Sequence, residues 1–318
     1  MKKIFALALS ILMVLSLTSA ALADQLNVGI VQMADNGAFT DMREGFIDHM
    51  RELGYDEAAM TFAYQNAQGD ATNLASICQK MIEDGVDFVV TIATPPTQAM
   101  VNMDSDIPVF FISVSNPVGA GVITEMAHPD KNATGTSNAI PCDEMFKLSD
   151  KLTPGCKTYG LIYCTSEVNS VSTAAQAKAY MDANGLTYVE KVVTNSGEVQ
   201  QAAEALVDSV DAIFVPNDSV VQTAMPVLAE IAADAGIPVY GSSAVMVASG
   251  AFATISIGDR AIGAITADMV NEYLNGKAIA DIPAIVVDEF TMVINKATAA
   301  AIGAELTEEV LAEAVIIE

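Results

Sequence analysis

The chain has 318 residues, with 14 Lys plus Arg against 40 Asp plus Glu, a formal net charge of −26. That length allows two domains of ordinary size, each with its own core. Nucleic-acid binding needs a basic footprint, so the acidic balance excludes it and points to solubility outside the cytoplasm.

Residues 1–23 read as a secretory signal peptide. Lys2-Lys3 is a basic start, an apolar run follows from Ile4 to about Leu17, and Ala21-Leu22-Ala23 before Asp24 is a cleavage site. The run is shorter than the ~20 residues of a membrane span. The first cysteine is Cys78, so no lipid-bearing cysteine stands near the cleavage site. An exported protein is expected, periplasmic or extracellular and not lipid-anchored by its own sequence.

Next comes Leu26-Asn27-Val28-Gly29-Ile30-Val31-Gln32, a short apolar run with the character of a buried parallel strand. Helical spacing of Met42, Phe46, Ile47, Met50 and Leu53 predicts a helix over 41–53, stopped by Gly54. A strand at 60–64 precedes Asp70, a helix cap for the run carrying Leu74, Ile77 and Met81. Strands at 87–92, 109–113 and 132–138 and a helix after Pro95 complete a first α/β unit. A helix over 141–152 opens a second. Its strands are predicted at 157–163, 186–193, 211–215, 237–240 and 252–257. Its helices are predicted at 170–183, 197–208, 219–235 and 242–249. An amphipathic helix over 259–275, a strand at 289–294 and a helix near 296–301 follow.

The second unit repeats the first. Gly29-Ile30-Val31 and Gly160-Leu161-Ile162 each lead, after equal separations, to Gly54 and Gly185. Ile107-Pro108-Val109-Phe110 is echoed by Ile237-Pro238-Val239-Tyr240. Alternating strand and helix argues for parallel sheets. The expected fold is therefore α/β, with two Rossmann-like lobes and a ligand cleft between them. The expected N-terminal lobe is 24–138 plus about 258–289; the C-terminal lobe is 139–257 plus about 290–318.

Ligands of open parallel sheets bind off the carboxyl ends of the strands. The loops there are rich in hydroxyls and amides. Asn169 and Ser170 precede a helix, whose free N–H groups suit a carboxylate. Asp218 could pair with an ammonium, and Phe39 could supply a stacking face. The same residues also suit plain helix capping and core packing. His49 and His128 are the only histidines and stand in no triad or metal spacing. Cys78, Cys142, Cys156 and Cys164 contain no C-x-x-C pair. No metal or cofactor is expected, and Cys164 has no placed base that would make it a nucleophile.

Six motifs stand in order at fitting distances: Asn66-Ala67-Gln68-Gly69-Asp70, Ala93-Thr94-Pro95, Ser113-Val114-Ser115-Asn116-Pro117-Val118-Gly119, Asn132-Ala133-Thr134-Gly135, Glu167-Val168-Asn169-Ser170 and Val215-Pro216-Asn217-Asp218. Together they resemble the ABC-transporter substrate-binding proteins whose characterised members bind tryptophan and related aromatic amino acids. The resemblance covers essentially the whole mature chain. It implies a type I periplasmic-binding-protein architecture with three crossovers and hinge closure. It also implies a ligand site drawn from Phe39, Gln68, Thr94, Asn116, Glu167, Asn169, Ser170, Asn217 and Asp218. The chain departs from the family pattern in the segment 34–41 and at Asn116. The expected partners are a small-molecule ligand, an amino acid, and an ABC permease in the membrane. A monomer and no enzymatic turnover are expected. The alternatives are an exported enzyme, a sensory binding module on the same fold, or a binder of a non-amino-acid solute such as a sugar.

Overall fold

The computed structural model describes residues 25–318, so the signal-peptide segment lies outside the described residues. Strand β1 (Leu26–Gln32), helix α1 (Gly37–Glu52), β2 (Met60–Asn66), α2 (Ala71–Glu83), β3 (Phe88–Ile92), α3 (Thr94–Val101), β4 (Val109–Ile112) and β5 (Ala133–Ser137) alternate along the first lobe. The second begins with α4 (Cys142–Leu152), β6 (Thr158–Cys164), α5 (Val168–Asn184) and β7 (Thr187–Val193). It continues through α6 (Val199–Glu204), β8 (Ala212–Phe214), α7 (Ser219–Thr223), α8 (Met225–Asp234), β9 (Val239–Tyr240), α9 (Ala244–Ala248) and β10 (Ala253–Ser256). Then follow α10 (Asp259–Leu274), β11 (Ile285–Val286), β12 (Thr291–Asn295), α11 (Lys296–Ala301), α12 (Glu308–Glu313) and β13 (Val315–Ile317).

Two sheets result. One has the order β11-β5-β4-β3-β1-β2 and is parallel throughout; the other has the order β13-β12-β10-β9-β8-β6-β7, with only β10 and β12 antiparallel. In each, the order reverses at the first strand of the repeat, β1 or β6. Such a reversal opens a crevice at the carboxyl ends of the strands. The chain passes between the sheets after β5, after β10 and after β11.

Helix starts are set by polar side chains. Asn36 accepts from the Phe39 N–H, so α1 begins ahead of the apolar periodicity at Met42. Asp70 caps α2 through the Thr72 N–H. The helix predicted over 219–235 divides into α7 and α8, because Pro226 cannot supply the N–H that a continuous helix needs.

Helix α10 packs on the first sheet. The Thr136 and Thr266 hydroxyls lie 2.9 Å apart, and the Tyr55 hydroxyl donates to Asn271 at 3.0 Å. Backbones meet directly there: a Cβ on Gly263 would lie 2.2 Å from the Met42 carbonyl oxygen, and one on Gly45 2.3 Å from that of Arg260. The second sheet is covered on both faces. Tyr159, Leu161 and Phe214 enter one apolar cluster, while Ile162, Cys164 and Ile213 enter the other. That division is the two-residue alternation of a strand. All four cysteines are buried free thiols.

Candidate functional site

Strained backbone marks the strand ends. Ala93 follows β3 with φ 76° and ψ 169°, a region essentially reserved for glycine. Ser113, after β4, has φ 64°, and Gln68, after β2, has φ 58°. Each such residue costs on the order of 1–3 kcal/mol and persists only where its surroundings impose it. All three border the space between the lobes.

That space has two chambers. The inner one, of ≈ 610 Å³ including its mouth, lies beside the crossovers. Phe39, Met42, Ile140, Ile257 and Ile262 give it an apolar wall. Thr94, Ser115 and Asn138 face it from the first lobe and the crossover; Asn169, Asn217 and Gln222 face it from the second. Asp218 and Asp259 are its acidic residues, and among the described residues no Lys, Arg or His lines it. The outer chamber, of ≈ 1300 Å³, joins it at Ser219. Gln68, Asp70 and Pro95 line one side of the outer chamber, and Glu167 and Asn195 the other.

Five of the residues singled out from sequence therefore meet in the inner chamber: Phe39, Thr94, Asn169, Asn217 and Asp218. Gln68 and Glu167 line the outer one. Asn116 is turned into its own loop, where its side-chain oxygen accepts from the Gly119 N–H at 2.8 Å. Ser170 is buried behind Asn217 and donates to its carbonyl at 2.8 Å; the Asn169 amide donates to the same oxygen at 2.7 Å. With those donors committed, Asn169 presents an acceptor, and its Oδ1 is buried without a partner. Across the chambers the Asn217 amide reaches the Ser115 hydroxyl at 3.5 Å, linking the lobes.

Two carboxylates cross-brace the second lobe's loops. Asp218 Oδ2 accepts from the Cys164 N–H at 2.6 Å and its Oδ1 from the Val221 N–H at 2.8 Å. Glu167 Oε2 accepts from the Ser219 N–H at 3.1 Å, while its Oε1 is buried without a partner. The loop after β6 thus binds the start of α7, and the loop after β8 binds the end of β6. Burial, then the charge of Asp218, raises the Glu167 carboxyl well above the ordinary range. Burial raises Asp218 as well, against the backbone N–H groups that favour its charge. Asp218 consequently acts as cap and brace as well as lining the pocket.

Asp259 stands apart. It opens α10, its side chain has no hydrogen bond or ion pair among the described residues, and burial followed by the charge of Asp41 pushes it up to about 7. Sequence reasoning missed it. It follows the carboxyl end of β10, so the strand-end rule could have selected it; Gln222 and Asn138 are reached only through the fold, while Ser115 stands in the loop 113–119 that the sequence already marked. Among the described residues no cluster of three or more His, Cys, Asp or Glu could hold a metal ion.

Comparison with known proteins agrees with this architecture. The family model described as ABC transporter substrate binding protein matches residues 27–317. The tyrosine-binding protein of Clostridioides difficile is 35% identical over 275 residues, 86% of this chain and 80% of that protein. The structure of the ABC domain from Streptococcus pneumonia in complex with L-Trp superposes with TM-score 0.89 at 30% identity, covering 92% of this chain and 100% of that one. The ligand-free, open structure of a substrate-binding protein with adhesive properties from Clostridium difficile gives TM-score 0.72 at 33% identity, covering 92% and 99%. Among the described residues no helix is long and apolar enough to cross a membrane. The family is one of solute-binding proteins and is typically extracytoplasmic. The chain belongs to the ABC transporter substrate-binding protein family, with the type I periplasmic-binding-protein fold, and is a substrate-binding protein of an ABC transporter.

Proposed function

We propose that the ligand is a small zwitterion with an apolar, aromatic side chain, an amino acid of the tryptophan or tyrosine kind. The observation that carries this reading is the division of the inner chamber. One wall is apolar, from Phe39 to Ile262, and the opposite lining is hydroxyl, amide and carboxylate. An aromatic side chain fits the first and a charged amino-acid head the second. Thr94, Ser115 and Gln222 supply donors for the ligand carboxylate. Gln222 already accepts from Ser243 through Oε1 at 2.8 Å, which leaves its amide N–H groups for the pocket. Asn169, Asn217 and Asp218 complete the second lobe's face. Glu167 and Ser170 hold that face in place, Gln68 guards the outer chamber and Asn116 shapes its loop. The relatives that bind tyrosine and L-Trp support the same ligand class.

The two lobes, 24–138 with about 258–289 and 139–257 with about 290–318, close on the ligand by hinge motion at the crossovers. The protein acts as an exported monomer, not lipid-anchored by its own sequence. It passes ligand to an ABC permease and returns it chemically unchanged. Fluorescence tests the ligand class directly, because the chain has no Trp. Added L-tryptophan is the only indole present, and its emission should shift to the blue and saturate. L-Tyrosine should displace it, and myo-inositol or glucose should not. Tight binding of a sugar with no response to either amino acid contradicts the reading.

A further inference from the structure

A bound amino acid brings an ammonium group that requires a counter-charge. Of the two carboxylates in the inner chamber, Asp218 already accepts backbone N–H groups through both oxygens. Asp259 accepts nothing. The adjacent Arg260 is drawn away from it, paired with Asp48 and 4.0 Å from Asp41. The charged groups around Asp259 are Asp41 on α1, Arg260 beside it and Asp218 across the chamber. Strand β10 and helix α9 bring none. Asp259 is partly buried and lines both the inner chamber and a more open pocket at the start of α10; a partly desolvated carboxylate with no cation or donor of its own gains from acquiring one. Among the described residues no cation lines this chamber, which leaves the place open to a cation carried by the ligand.

We propose that Asp259 is the receptor for the ligand's primary ammonium group and that it restricts the site to compounds carrying one. The proposal rests on the amino-acid reading above and names the residue that enforces it. The position suits the task. Asp259 lies where the chain crosses from β10 back to the first lobe, and the next turn of α10 carries Ile262 of the apolar wall. Ammonium and aromatic group are thereby read by one short segment at the hinge. Because the unliganded carboxyl titrates at about 7, ammonium binding is linked to its ionisation. Affinity should rise with pH up to about 7 and level off above it.

Calorimetry on the purified protein and on D259N tests this, with L-tryptophan, L-tyrosine and indole-3-propionate, which keeps the indole and carboxylate but lacks the ammonium. Wild type should bind the amino acids at least tenfold more tightly than indole-3-propionate. D259N should lose at least tenfold for the amino acids and bind indole-3-propionate as well as wild type or better. Wild-type affinity for L-tryptophan should fall about tenfold from pH 8 to pH 6, and that of D259N should stay flat. The pH series on wild type stands even if D259N misfolds, and D259S is the second variant. A folded D259N that binds the amino acids as wild type does overturns the inference. Failure of the ligand class reads differently: wild type then binds neither aromatic amino acid. L-Leucine and putrescine are then titrated into the same pair, and the inference falls if no amine binds or if D259N binds one undiminished.

Discussion

The helix pair α1–α10 carries Asp259 and three residues of the apolar wall, Phe39, Met42 and Ile262, and its spacing is set by two glycines. In G263A the new Cβ would sit 2.2 Å from the Met42 carbonyl oxygen and 2.8 Å from the Phe46 nitrogen. Both are backbone atoms of a packed helix, so neither can rotate away. Ordinary contact begins near 3.4 Å, so the helices must separate by about 1 Å. Overpacking of this kind costs about 1–3 kcal/mol. The alanine returns about 1 kcal/mol of helix propensity. A net loss of up to about 2 kcal/mol should lower Tm by up to roughly 8 °C in a protein of this size. Affinity should fall further than stability suggests. Phe39 and Met42 ride on α1 while Ile262 and Asp259 ride on α10, so separation opens the pocket between its own walls. We expect at least a tenfold weaker Kd for L-tryptophan. Differential scanning fluorimetry and calorimetry measure the two quantities on the same sample. A G263A protein with unchanged Tm and unchanged Kd would refute the argument that this close approach sets the site.

Three further outcomes follow from ionisable groups wholly or partly withdrawn from water. D259N should be more stable than wild type at pH 8 by several degrees and equal to it near pH 4. The folded-state carboxyl titrates at about 7 and the unfolded one near 3.8, so wild-type stability falls as pH rises between them while the asparagine variant's does not. A thermal-melt series across that range checks the sign. E167Q, which mimics the protonated acid, should likewise gain on wild type as pH rises, because the folded Glu167 holds its proton more firmly than the unfolded one. A gain confined to acid pH would contradict the cross-brace. The four cysteines are buried free thiols, and burial pushes Cys78 and Cys142 up to about 11. A thiol reagent at pH 7.5 should therefore label none of them in the native protein and all of them in guanidinium.

Much of the fold was legible because each strand is a short apolar run ended by a polar loop. Leu26–Gln32 and Thr158–Cys164 carry that signal plainly. Helix ends were less so. The start of α1 depends on Asn36, outside the apolar period, and the break before α8 depends on Pro226. Helix α12 and strand β13 were missed, because Glu308–Glu313 is short and mostly exposed and β13 gains its order only from pairing with β12. At the site, residue types were readable and their directions were not. Asn169 and Ser170 were expected as donors, yet both donate to the Asn217 carbonyl. Asp218 was read first as a counter-charge and second as a cap, and in the structure it caps α7 while also lining the pocket. What distinguishes Asp259 is the lack of any partner. That property belongs to the packed structure and leaves no trace in local sequence.

The ligand that travels with the protein tests the central claim most directly. Protein purified without denaturation should release, on unfolding, a small molecule identified by mass spectrometry. The account predicts an aromatic compound carrying both an ammonium and a carboxylate, tryptophan or tyrosine, in near-stoichiometric amount after export into medium containing both. Recovery of a neutral sugar or polyol in that amount, with neither amino acid present, would contradict it.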